Sequence, residues 1–354
     1  MMAPDRGFEE ATSAADVETS VKALSLMGPE SPNSLTLNAA ESAIPAHRSH
    51  DPATNSKRTD PFQFGQRYLS ESDDVFEYNA WDHVLPDEAH LEYCEAQYAA
   101  QRAAPVSDFD RARFNQSPEK WWDLFYKQKA STFFKDRKWL VQEFPVLLEV
   151  TRKDAGKKVV LEIGAGAGNT AFPILRMNEN PDLNLVAVDF SQRAVETMRR
   201  ADDYEKSGGR LRADLWDAAA DTLPPGFEEG TVDVVIMIFI FSALNPKQWD
   251  QAVQNVRRLL RPGGQVLFRD YGRGDLAQVR FKAGRWMEEN FYVRGDGTRV
   301  YFFDKEELDR IWGGALFDIV NLDIDRRLIV NRQRRLKMYR CWIQGRFQKP
   351  DNHG

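Results

Sequence analysis

Between Val159 and Asp214 the chain places three carboxylates and three glycines at spacings that suit the capture of an adenosine-bearing ligand. Val159-Val160-Leu161-Glu162-Ile163 reads as an apolar strand running into Gly164-Ala165-Gly166-Ala167-Gly168. Glycines at such a turn let the backbone fold tightly and approach a ligand with no Cβ in the way. Glu162, just ahead of the first glycine, would repel a pyrophosphate but suits a cationic amino-acid group. Roughly 20 residues on, where a ribose would offer its hydroxyls, Leu185 to Asp189 reads as a second buried strand closed by an acid. Leu211 to Asp214 reads as a third, its terminal carboxylate placed for an adenine amino group and Leu215 and Trp216 for an apolar wall. Asn169 and Ile238 complete the candidate lining. Each Asp has a plainer reading beside it, because an Asp closing a strand is often the N-cap of the next helix. The glycine loop has a dinucleotide turn as its rival, although its spacing departs from G-x-G-x-x-G.

The elements that must position these groups follow in a telling order. Val232 to Phe241 is apolar almost throughout, as a strand buried on both faces of a parallel sheet should be. Then come a helix with Trp249, Val253, Val256, Leu259 and Leu260 at helical spacing, the turn Arg261-Pro262-Gly263-Gly264, and a fifth strand, Gln265 to Arg269. This order, with E-x-G-x-G-x-G at its head, resembles the class I methyltransferases. The resemblance implies a Rossmann-like α/β fold, a seven-stranded and mostly parallel sheet with helices on both faces, and S-adenosylmethionine as cofactor.

Composition frames that domain. The 354 residues are 42% apolar, enough for a sizeable core. The longest apolar run, Val232 to Leu244, contains Asp233 and is short for a membrane span, so no membrane partner is expected. Two cysteines, Cys94 and Cys341, and five scattered histidines suggest neither a disulfide framework nor a metal site; the expectation is a reducing compartment, cytoplasm or nucleus, and no metal. The net charge of −6 conceals an asymmetry: residues 1–100 hold 6 Lys and Arg against 18 Asp and Glu, and the remainder 42 against 36. Residues 1–59 are too polar to offset chain entropy and read as an acidic disordered tail, with a weak helical pattern over Val17 to Met27. Residues 60–156 read as an N-terminal helical cap, Asp87 to Arg102 being one helix, and 157–350 as the sheet domain. Between 118 and 144, Trp121, Trp122, Phe125, Tyr126, Phe133, Phe134, Trp139 and Phe144 interleave with Lys120, Lys127, Lys129, Lys135, Arg137 and Lys138. Such a mixture suits unpaired RNA, whose bases stack on aromatic planes while cations meet phosphate. It equally suits an amphipathic cap packed on the sheet.

Within that stretch, Trp121-Trp122-Asp123-Leu124-Phe125-Tyr126-Lys127, then Phe133-Phe134-Lys135-Asp136-Arg137, resemble the opening of the tRNA N3-methylcytidine methyltransferases that modify position 32 of the anticodon loop. Phe268 to Arg273, Phe291 to Arg299 with Tyr301-Phe302-Phe303, Asn331-Arg332-Gln333 and Met338-Tyr339-Arg340 are similar to the same family, so the resemblance spans about residues 61 to 350. Phe64-Gly65-Gln66-Arg67 with Asn79-Ala80-Trp81-Asp82 resembles its threonine-tRNA branch. The resemblance implies a tRNA partner gripped at the anticodon loop and arm, with an aminoacyl-tRNA synthetase or another protein as a further candidate partner. It implies that Trp122 and Tyr126 cover the cofactor, that Phe133, Phe134 and Arg137 wall a flipped nucleotide, and that Asp136 and Asp270 stabilise charge. Arg269, Arg273, Arg294 and Arg299 would contact RNA or brace the pocket. The C-terminal Arg326, Arg327, Arg332, Arg334, Arg335, Lys337 and Arg340 flank what reads as the last antiparallel strand pair, where alternation would put many on one solvated face, either simply solvated or in contact with the tRNA arm. Two other readings stay open: a protein or small-molecule methyltransferase of the same fold, and a catalytically silent RNA-binding subunit.

The chemistry can be reasoned without the family. Neutral cytosine carries an in-plane lone pair and no proton at N3, so it can attack a sulfonium methyl in line without a general base. Catalysis then reduces to holding N3 near the methyl and stabilising charge as it moves onto the ring. N3 lies on the pairing edge, so the base must be splayed out of its loop.

Overall fold

The computed structural model describes residues 67–129, 134–137, 139–314 and 316–351. The expected tail over 1–59, the Val17 to Met27 pattern, Phe64-Gly65-Gln66, Phe133 and Lys138 lie outside the described residues.

The N-terminal extension opens with a short strand, β1 (Ala80–Asp82), and three helices, α1 (Glu88–Ala103), α2 (Asp108–Gln116) and α3 (Pro118–Lys129). Their starts are written locally. Asp87 accepts from His90 N and Ser107 from Asp110 N, satisfying free N–H groups, and Pro118 needs no such partner at the first position of α3. Two short helices follow, α4 (Leu140–Glu143) and α5 (Val146–Thr151). Leu140, Phe144, Leu147 and Val150 from these helices pack with Val160, Leu185 and Ile236 in one apolar cluster. The last turns of the cap therefore belong to the core of the sheet.

The sheet domain runs β2 (Lys158–Ile163), α6 (Ala171–Met177), β3 (Leu183–Asp189), α7 (Gln192–Arg199), α8 (Asp202–Lys206), β4 (Leu211–Leu215), β5 (Val232–Ile238), α9 (Trp249–Leu259) and β6 (Leu260–Tyr271). Next come α10 (Leu276–Val279), the small antiparallel sheet β7 (Trp286–Glu288), β8 (Phe291–Val293) and β9 (Arg299–Tyr301), then α11 (Lys305–Trp312) and the hairpin β10 (Asp318–Asn331) and β11 (Leu336–Gln348). The main sheet has the order β1-β10-β11-β6-β5-β2-β3-β4. The five strands from β6 to β4 are parallel, and β11, β10 and β1 are antiparallel.

Two expectations change. The sheet has eight strands, not seven, because Ala80–Asp82 pairs with Ile329, Leu328 and Arg327 of β10 and so covers an otherwise open edge. The fifth parallel strand starts at Leu260, before the Pro-Gly-Gly turn: pairing with β5 jumps from Val232↔Leu260 to Val234↔Gln265, so Arg261 to Gly264 loops out within it. The apolar run from Val232 stops being strand at Ile238 because Phe239 turns left-handed, with φ 59°. After β4 the chain returns to lay β5 beside β2, which puts the switch point of the sheet, where open α/β sheets bind ligands, at the carboxyl end of β2.

Candidate active site

At that switch point the backbone turns through Gly164, Gly166 and Gly168, all left-handed. All three glycines are fixed by sterics as well as by φ, Gly168 against the Phe172 ring. A Cβ on Gly164 would stand 2.2 Å from Ile240 Cγ1, and one on Gly166 would stand 2.3 Å from the Tyr126 hydroxyl. The loop floors a pocket enclosing about 730 Å³ of space, the open mouth included, with Trp122, Tyr126 and Phe134 as its aromatic wall.

Asp189 reaches this pocket from the tip of β3. Its carboxylate accepts from Gly166 N at 2.9 Å and Ser191 N at 2.9 Å, while burial pushes its pKa up to about 6. The N-cap of the following helix is not Asp189 but Ser191, whose hydroxyl accepts from Ala194 N. Asp189 is thereby left with its acid at the pocket wall. Gly164, Gly166, Asn169 and Ile238 also line the pocket; Gly168 lies behind it, against Phe172.

Glu162 sits beneath the floor. It is 1% exposed, and burial raises its pKa to about 7 against the opposing pull of the Arg137 charge and of hydrogen bonding from Thr170 and the Ala171 backbone. Arg137 Nη1 stands 3.6 Å from Glu162 Oε1 and donates to Thr170 Oγ1, and Arg137 lines the pocket with Phe239 beside it at 6.0 Å. Glu162 therefore acts on the pocket through a charge pair with Arg137.

The adenine expectation needs correction. Asp214 and Leu215 do not line the pocket: Arg199 and Arg212 clamp the Asp214 carboxylate on the outer strand, and Leu215 is 47% exposed. Trp216, expected as part of the wall, does line the pocket, and Asp217 and Ala218 just past the strand end join it. Asp217 was missed because it follows the strand, although its position beside Trp216 was the available signal.

The two acids expected to stabilise charge also stand outside the pocket. Asp136 is tied to Arg176 on the surface, where Asp203 shares the same guanidinium. Asp270 is fully buried, accepts from Ser242 N and Tyr271 N at 2.9 Å each, and has its pKa pushed up to about 6 by burial. Its role is to hold the loop whose Phe239, Ile240 and Ala243 line the pocket. Arg299 braces the same loop from the other side, donating to Ala243 O and Asn115 Oδ1, and its burial lowers its pKa to about 10.

The aromatic and cationic stretch divides between the two readings it allowed. Phe125 and Phe144 are core, and Trp121 lies on Gly297, where a Cβ would meet its ring at 2.2 Å. Trp122, Tyr126 and Phe134 reach the pocket. Nor do the C-terminal cations share one free face. Arg327 is opposite Arg340 but Arg326 is opposite Cys341, so they alternate, and the extension occupies several of them: Arg335 lies over Phe76 at 4.1 Å, Arg332 donates to Phe76 O, and Lys337 pairs with Asp87. Among the described residues no group of three His, Cys, Asp or Glu could hold a metal ion, and no helix is long and apolar enough to cross a membrane.

A methyltransferase-domain family model matches residues 161–266, which carry this floor. The tRNA(Thr) (cytosine(32)-N(3))-methyltransferase of Saccharomyces cerevisiae is 51% identical over 292 residues, 82% of this chain and 46% of that protein. The tRNA N(3)-methylcytidine methyltransferase of Schizosaccharomyces pombe is 48% identical over 286 residues, 81% of this chain and 92% of that one. The chain belongs to the tRNA N3-methylcytidine methyltransferases. A relative with the same description in Drosophila melanogaster is 44% identical and 90% covered. The chain thus carries a methyltransferase domain, and it spans about half the length of the Saccharomyces protein.

The pocket's lining suits S-adenosylmethionine: a glycine turn that brings backbone to its floor, acids at Asp189 and Asp217, and Arg137 paired with the buried Glu162.

Proposed function

We propose that this protein methylates N3 of cytidine 32 in the anticodon loop of threonine-type tRNA. The observation that carries it is the meeting of two sequence blocks: the helix bearing Trp122 and Tyr126, which belongs to the family's opening phrase, roofs the glycine loop that binds the cofactor in this fold. The names of the curated relatives support the choice of nucleobase and tRNA. S-adenosylmethionine supplies the methyl group as a sulfonium.

The protein's own residues do the rest. Asp189 accepts from the ribose hydroxyls and Asp217 from the adenine amino group. Arg137 would suit the carboxylate of the methionine end, with Glu162 balancing its charge from beneath the floor. Trp122 and Tyr126 would exclude water from the bound cofactor, and Phe134 and Phe239 would hold an extruded cytosine flat beside it. No side chain has to remove a proton from N3, and the positive charge gained by the ring faces an aromatic wall.

The test is incubation of the purified chain with labelled S-adenosylmethionine and total tRNA from a strain lacking N3-methylcytidine, followed by digestion to nucleosides. Label in N3-methylcytidine confined to threonine-type tRNA is the expected result. Label on protein or on a small molecule overturns the reading. Label that needs added lysate assigns a protein partner, such as the cognate aminoacyl-tRNA synthetase. The two free, buried thiols, Cys94 and Cys341, fit action in the cytoplasm or nucleus.

A further inference from the structure

Outside the pocket, an aromatic path continues from its wall along the sheet. The Phe239 ring, in the pocket lining, lies 4.9 Å from the ring of Tyr271 at the carboxyl end of β6. Tyr271 is paired directly with Trp342 of β11, and Trp342 with Asp325 of β10, so their side chains stand on one face. Trp342 is only half-buried, unlike the stacked Trp312 and Phe347 of the core.

Three guanidinium groups face its indole: Arg340 at 4.7 Å, Arg269 at 5.0 Å and Arg327 at 5.9 Å. Buried carboxylates hold them there. Asp325 serves both Arg269 and Arg327, and Asp275 receives Arg340 Nε at 2.8 Å. Arg327 and Arg340 nevertheless keep 34% and 26% of their side chains exposed. A half-buried indole among fixed guanidinium groups at the end of an aromatic path from the pocket is the chemistry that receives an unpaired base with its phosphate.

We propose that Trp342, with Arg327 and Arg340, is a nucleotide subsite for the RNA strand next to the extruded cytidine: one flanking base stacks on the indole while the two arginines take its phosphates. The subsite rests on the proposed tRNA reading. An extruded base leaves its neighbours unstacked, and Tyr271 bridges the interval between the pocket wall and the indole. Arg269 is the inner support of the platform, sandwiched between Trp342 and Trp139, the latter at 5.2 Å and on the segment that carries Phe134 and Arg137.

The full chain is compared with Trp342→Ala and Trp342→Phe. Binding of threonine-type tRNA, binding of S-adenosylmethionine and the thermal midpoint are each measured. Trp342→Ala is expected to weaken tRNA binding roughly tenfold, with cofactor affinity and thermal midpoint unmoved, and Trp342→Phe to restore most of the loss. In parallel, tRNA carrying 5-iodouridine at either position flanking cytidine 32 is irradiated with the native chain, and the crosslinked peptide should contain Trp342. Unchanged tRNA affinity in Trp342→Ala, or crosslinks only to other peptides, overturns the subsite while leaving the methylation reading intact. A native chain that neither binds nor methylates tRNA overturns both.

Discussion

Two backbone N–H groups, from Gly166 and Ser191, hold the Asp189 carboxylate at the pocket wall, yet burial still keeps its pKa near 6. A ribose accepting nothing and donating two hydroxyls prefers the ionised acid, so cofactor binding must displace any proton there. Affinity for S-adenosylmethionine should therefore be steady above about pH 7 and fall as the pH drops through 6, and Asp189→Asn should flatten the profile. Isothermal titration across that range checks it; a native profile that stays flat removes the ribose assignment. Asp189→Ala should abolish cofactor binding and leave tRNA binding in place. The same acids shape stability. Asp189, Asp270 and Glu162 have folded pKa values raised above their unfolded ones, so the chain gains most from them below about pH 4 and loses that gain as the pH rises through 6 to 7. A ligand that pairs the ionised forms should raise the thermal midpoint more at pH 8 than at pH 5.5. Asp189 was legible because the fold puts an acid at that strand end; Asp214 misled because nothing in one sequence shows Arg199 and Arg212 converging on it.

At the scale of elements, the roof helix α3 is fastened at one point that links lid and cofactor site. Asp123, between Trp122 and the buried Phe125, accepts from Ser191 Oγ at 2.6 Å and from Arg193 N at 3.0 Å, capping α7 from outside. Ser191 N in turn donates to Asp189, so lid, helix start and ribose acid share one hydrogen-bonded chain. Asp123→Ala should loosen the roof. We expect the KM for S-adenosylmethionine to rise about fivefold to tenfold, in line with the loss of a charge-assisted hydrogen bond, with the KM for tRNA little changed. Asp123→Asn, which keeps an acceptor, should recover part of it. Equal rises in both KM values would show general loosening instead. The helices and parallel strands were readable from apolar spacing and cap residues such as Asp87. The small sheet β7-β8-β9 was not, because Phe291 to Arg299 stood out only as a family phrase; the structure shows Gly297 seating Trp121 and Arg299 bracing Ala243 O, the second of the two roles open to it.

Over the whole molecule, the extension and the methyltransferase sheet form one continuous structure. Trp81 is 2% exposed, donates from Nε1 to Val75 O at 2.7 Å, and packs with Leu328, Val330 and Tyr339 of the C-terminal hairpin. That hairpin also carries Asp325, Arg340 and Trp342, so the chain's beginning holds the surface assigned to RNA although some 250 residues separate the two in sequence. Strand alternation alone could not reveal this, because the partner of the outer hairpin edge lies at the far end of the chain. Removing the indole leaves a cavity under the outer strand, and large-to-small changes of this kind cost about 3–5 kcal/mol. Trp81→Ala should accordingly lower the denaturant midpoint by that much free energy, and the loss should appear as a single transition followed equally by far-ultraviolet dichroism and by cofactor binding. If the extension were an independent module, dichroism would show an early partial transition while S-adenosylmethionine binding kept the native midpoint. Coincident loss of both signals requires that the edge strand, the hairpin and the cofactor floor unfold together, as their pairing across one sheet demands.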